Sequence, residues 1–138
     1  MTTALTLQRT LDAPVERVWR ALTDPAALTA WFWPERFDPS VEVELRVGGR
    51  YRIAGPGAGI AAGGEYVTVD PPRRLVFTWR WDGDPDETLV TVDLSADGAA
   101  TRLTLVHERF ATEAERDDHA KGWSDCLDRL PAWLAVNR

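Results

Sequence analysis

The 138 residues carry a formal net charge of −6, a hydrophobic share of 44% and a charged share of 28%, the balance of one ordinary globular domain rather than of a disordered chain. The acidity, and the mixing of arginines with Asp and Glu, oppose a nucleic-acid partner, which needs a basic face to neutralise phosphates. No apolar run approaches the roughly 18–20 residues needed to cross a bilayer; the lone Cys126 cannot pair within the chain, and Met1 to Thr10 has no basic stretch followed by an apolar core, so a cytoplasmic protein without membrane insertion is expected.

Ala4 to Leu11 alternates Leu5 and Leu7 with Thr6 and Gln8, the pattern of a strand with one buried face. Asp12-Ala13-Pro14 ends it, and Pro14 suits the first turn of a short helix on which Val15, Val18, Trp19 and Leu22 recur at helical spacing. Asp24-Pro25 repeats the start signal, with Asp24 as cap, for a second short helix over Ala26 to Trp31. Ser40 to Leu45 and Arg50 to Ala54 read as a hairpin turned at Gly48-Gly49. The tract Gly55 to Gly64 is the least regular segment and reads as a mobile loop; it lacks the Gly-Lys-Ser/Thr element of a phosphate loop.

Glu65 to Val69 and Arg74 to Trp81 are strands on either side of Asp70-Pro71-Pro72. In the second, Leu75, Phe77, Trp79 and Trp81 share one face, an aromatic row that another element must cover. Glu87 to Ser95 and Thr101 to Arg109 form a hairpin through Ala96-Asp97-Gly98, which places Leu103, Leu105 and His107 on one face. From Thr112 the period becomes 3.6, and Trp123, Cys126, Leu127, Leu130 and Leu134 form one stripe of a long final helix. Thr112 and Glu115 make its capping box, and Pro131 should bend it near its end.

The order strand, two short helices, six strands, long helix resembles the helix-grip fold of the START-like (SRPBCC) superfamily. Several strings are similar to one branch of it, the C-terminal domain of the activator of heat-shock protein 90 ATPase: Asp12 to Pro25, Trp31 to Pro34, Arg46-Val47-Gly48-Gly49-Arg50-Tyr51, Pro71 to Trp79, Thr101 to Leu105, and His119-Ala120-Lys121-Gly122-Trp123. Two positions depart from that pattern: Val47 replaces a usual Pro, and Thr68 stands two places after Tyr66 where relatives often carry an acid. Pro131 is also atypical. The resemblance implies an α+β helix-grip domain over residues 1–138, a curved antiparallel sheet of about six or seven strands with two short helices and a long C-terminal helix. The physics agrees, because a sheet with one apolar face needs a lid, and a straight helix across a curved sheet leaves room between them.

In such a fold the ligand space is walled by the two stripes and entered between the short helices and the sheet, which nominates Trp31, Trp33 and Phe37 at the entrance, Phe77, Trp79, Trp123 and Leu127 as walls, and Tyr51, His107 and His119 as orienting groups. Each also has a plain packing reading, since seven tryptophans could fill a core as well as line a cavity. His107 and His119 are the natural polar handles, and Glu115, one turn before His119, could hold it. Two histidines and one cysteine do not make a metal site, no cofactor is implied, and Ser124 and Asp125 beside His119 do not make a triad. Cys126 reads as inert packing. Three functions follow from the resemblance: binding of a small hydrophobic or aromatic molecule; cyclase, dehydratase or hydrolase chemistry in the same cavity; and activation of a heat-shock protein 90-type chaperone. Some relatives are dimers, so a homodimer stays open.

Overall fold

A computed structural model describes residues 3–137. β1 (Thr3–Leu11) leads into α1 (Val15–Thr23) and α2 (Pro25–Trp31), followed by β2 (Ser40–Val43), β3 (Arg50–Gly55), β4 (Ile60–Asp70), β5 (Arg74–Trp81), β6 (Thr88–Asp97), β7 (Ala100–Phe110) and α3 (Glu113–Val136). The strands form one sheet in the order β1-β7-β6-β5-β4-β3-β2, every pair antiparallel. β2 to β7 are thus a continuous meander, and β1 returns to close the far edge. This is the α+β arrangement expected from the sequence, with α3 packed on β1 and β7 and touching α1 and α2.

The local signals act much as read. Asp24 accepts a hydrogen bond from the Ala27 amide at 3.0 Å, satisfying one orphan donor of α2. Thr112 Oγ1 accepts from the Glu115 amide at 3.1 Å, and Glu115 reaches back to the Ala111 amide at 3.3 Å, a capping box displaced by one residue at its second bond. Pro14 occupies the cap position itself rather than the first turn. Pro131 lies inside α3, which continues past it to Val136; Arg138, where the helix was expected to end, is outside the described residues.

The tract Gly55 to Gly64 is not the mobile loop its composition suggested. β3 runs to Gly55 and β4 starts at Ile60, leaving a four-residue turn. The glycines serve close approach instead: a Cβ on Gly64 would sit 2.0 Å from the Thr78 carbonyl oxygen, and one on Gly57 2.3 Å from that of Arg36. Only a residue without a side chain lets these backbones meet.

Two bulges then decide which side chains face the helix. In β4 the register shifts between Tyr66 and Thr68, which leaves Val67 half exposed. In β7, Arg109 adopts φ 75° where the pairing with β1 slips between Thr3 and Ala4, and Phe110 is thereby turned into the core.

Candidate functional site

α3 lies directly on the β1–β7 side of the sheet, so the β3–β5 side must be covered by side chains. Two adjoining spaces result. An inner cavity of about 40 Å³ is bounded by the sheet residues Tyr51, Tyr66, Phe77 and Trp79 and by Trp123 and Leu127 of α3. An outer cleft of about 260 Å³ opens beside it between the end of β5 and α3, walled by Trp33, Trp81, His119, Gly122 and Cys126, with Asp118 at its rim.

Phe32, Trp79 and Trp123 line both spaces. Their rings form a triangle, with centroids 5.6 Å apart for Phe32–Trp123, 5.7 Å for Trp79–Trp123 and 6.4 Å for Phe32–Trp79. Edge-to-face and tilted pairs of this kind are favourable without being interlocked. Phe32 is placed by the end of α2, four residues after Leu28, whose carbonyl accepts its amide. Arg129 of α3 holds the same helix end, donating to the carbonyls of Trp31 at 3.2 Å and Phe32 at 2.7 Å. A cation at a helix C-terminus suits the dipole there.

Beneath the partition lies a hydrogen-bonded chain centred on His107, which is fully buried. Trp123 Nε1 donates to His107 Nδ1 at 2.9 Å. An indole N–H can only donate, so Nδ1 is the acceptor and the ring proton sits on Nε2. That nitrogen faces Thr88 Oγ1 at 2.6 Å, and the Thr88 hydroxyl donates in turn to the Trp79 carbonyl at 3.0 Å. Burial, with His119 nearby, pushes the His107 pKa down to about 3. It is a neutral, fully engaged ring that ties α3 to β5, β6 and β7.

His119 is held in the opposite tautomer. Trp81 Nε1 donates to its Nε2 at 2.8 Å, so Nδ1 carries the proton and meets the Glu115 carbonyl at 2.7 Å. The partner is therefore the Glu115 backbone rather than the carboxylate that the sequence suggested. Trp81 in turn lies parallel to Trp33, with 3° between planes and 6.1 Å between centroids. Tyr51 donates its phenol proton to the Thr78 carbonyl; burial first, then Tyr66 and Glu87, raise its pKa well above the usual value. Burial alone pushes the Tyr66 phenol to about 12, and Cys126, at about 12, is likewise held as a thiol chiefly by burial.

Of the ten nominated residues, Tyr51, Phe77, Trp79, Trp123 and Leu127 line the inner cavity, and Trp33 and His119 join Trp79 and Trp123 at the outer cleft. Trp31, Phe37 and His107 line neither. Trp31 spends its N–H on the Ala21 carbonyl at 2.8 Å, and Phe37 packs on the side of Trp33. The nomination missed Phe32, Tyr66 and Trp81. A signal existed for two of them: Phe32 follows Leu28 at i+4, and Trp81 ends the aromatic row of β5. Ser124 accepts from Arg9 at 3.2 Å, away from His119. Among the described residues no group of three His, Cys, Asp or Glu could hold a metal ion, and no helix is long and apolar enough to cross a membrane.

A curved sheet gripping a terminal helix, with aromatic side chains walling the space between, defines a START-like domain. The model of one family, "Activator of Hsp90 ATPase homolog 1-like protein", matches residues 12–135, and the chain belongs to that family. Among solved structures it is similar to protein CV1439 of Chromobacterium violaceum, at 31% identity and TM-score 0.81, covering 95% of this chain and 96% of that one. CalU16 of Micromonospora echinospora is 31% identical with TM-score 0.79, covering 98% of this chain and 78% of that one. DynU16, from the dynemicin biosynthetic locus, is 27% identical with TM-score 0.84; the match covers 98% of this chain and 48% of DynU16. No curated protein matches.

Proposed function

We propose that the protein binds a small hydrophobic or aromatic molecule between the sheet and α3. One observation carries the reading: an apolar inner cavity and an aromatic cleft adjoin across only three side chains, Phe32, Trp79 and Trp123. The inner space alone, at about 40 Å³, has room for little more than a water or two. Small-molecule pockets run to roughly 300–1,000 Å³, a range the two spaces approach only when joined. Rotation of the three rings would join them.

The kinship with DynU16, from a biosynthetic locus, favours a small organic molecule as the guest. Binding is preferred to catalysis because both histidines have each ring nitrogen engaged, whereas a general base must offer a free nitrogen to its substrate. Titration of the protein with a panel of fatty acids, polyketide aromatics and polycyclic hydrocarbons, read by tryptophan fluorescence and calorimetry, tests the reading. Saturable one-to-one binding of at least one class is expected. No saturable change across the panel would overturn it.

A further inference from the structure

Of four tryptophans around the two spaces or beside them, Trp31, Trp79, Trp81 and Trp123, three have satisfied N–H groups. Trp31 donates to Ala21, Trp81 to His119 and Trp123 to His107. The fourth does not: Trp79 is 4% exposed, and its Nε1 is buried with no acceptor among the described residues. An indole N–H is donor only, and leaving a buried donor unpaired is unfavourable enough that such groups are uncommon in folded proteins. The ring that carries this orphan is one of the three shared by both spaces, packed against Trp123 and Phe32.

A second feature is Gly122. It lies in the interior of α3 and on the wall of the outer cleft. A Cβ there would meet nothing within 4 Å, so neither close packing nor a special backbone angle requires glycine. A helical glycine is unfavourable relative to alanine. What it does provide is open space on the wall of the cleft that Trp79 and Trp81 also line.

We propose that the ligand is a flat, largely apolar molecule carrying a neutral hydrogen-bond acceptor, a carbonyl or ether oxygen, which enters over Gly122 and takes the Trp79 Nε1–H as the Phe32–Trp79–Trp123 partition parts. The proposal rests on the cavity reading above and adds the chemistry of the guest. The acceptor is neutral because the walls offer no cation to an anion, and Asp118 at the rim repels one. The molecule is flat because the cleft wall carries the parallel rings of Trp33 and Trp81.

Fluorene and 9-fluorenone test this as a pair: both are flat three-ring molecules, and only the ketone has an acceptor. Calorimetry and the indole region of a ¹H–¹⁵N correlation spectrum provide the readouts. In an interior without a free donor the more apolar hydrocarbon should bind at least as tightly as the ketone. The expected result is that fluorenone binds at least about tenfold tighter, that Trp79→Phe abolishes that preference, read as the ratio of the two affinities in the variant, and that Gly122→Leu weakens both more than about tenfold.

The Trp79 indole proton of the wild-type protein should move downfield with fluorenone and not with fluorene, a readout that stands even if the Phe variant fails to fold. Equal affinities with no selective shift overturn the acceptor proposal and leave the cavity reading intact. Undiminished binding by Gly122→Leu overturns the route through the cleft. Failure of both compounds to bind the wild type removes the cavity reading for molecules of this size, and the proposal with it.

Discussion

His107 shows how burial converts a titratable residue into a structural one. Its two nitrogens are fixed by Trp123 and Thr88, and the protonated ring would have to break the bond from Trp123, since both nitrogens would then donate. With its folded pKa depressed to about 3, against about 6.5 in the unfolded chain, the unfolded state binds more protons between those values. Stability is therefore full above about pH 6.5 and falls as the pH drops towards 3, by about 1.4 kcal/mol per unit. Urea unfolding at pH 7.0 and 5.0 should show a loss of about 2 kcal/mol from this residue, and His107→Gln should flatten that slope while lowering stability at pH 7.0. An unchanged slope in the variant would mean that other groups carry the acid sensitivity.

At the scale of elements, the glycines separate into those required by contact and those that are not. Gly64 lets β4 approach β5, and Gly64→Ala would drive its Cβ into the Thr78 carbonyl; backbone cannot yield as a side chain can, so a loss of about 2–4 kcal/mol is expected. Gly122→Ala meets nothing and should gain about 0.5–1 kcal/mol from helix propensity. Denaturant titration of the two variants checks both signs, with the midpoints moving in opposite directions and the slope unchanged. The composition of the Gly55 to Gly64 tract gave the wrong element because glycine enrichment marks turns and close backbone approach alike, and only the neighbouring strand tells them apart.

At the scale of the whole molecule, α3 grips one half of the sheet directly and the other through a partition of aromatic rings. A guest that parts those rings binds the folded state alone, and so must stabilise it by mass action. At a ligand concentration about 100 times Kd the gain is about 2.7 kcal/mol, which should raise the thermal midpoint by at least about 5 °C. The same experiment on Gly122→Leu should show little ligand-dependent rise. A rise of equal size in both proteins would place the guest elsewhere.

The order of elements along the chain, the caps at Asp24 and Thr112, the aromatic row of β5 and the apolar stripe of α3 were legible in the sequence, because periodicity, turn residues and capping are local and each residue type carries its own conformational preference. Seven of the ten nominated residues border one of the two spaces for the same reason: alternation along a strand and the 3.6 period of a helix fix which side chains share a face. The tertiary structure decided the rest. Trp31 and His107 share faces with cavity residues, yet their hydrogen bonds to Ala21, Thr88 and Trp123 commit them to packing, and Phe110 faces the histidines only because β7 bulges at Arg109. Nor does any local pattern distinguish Trp79 from its neighbours. Its N–H is orphaned by where its ring stands among strands and a helix far apart in the chain, and partnering over such distances is settled only when those elements pack.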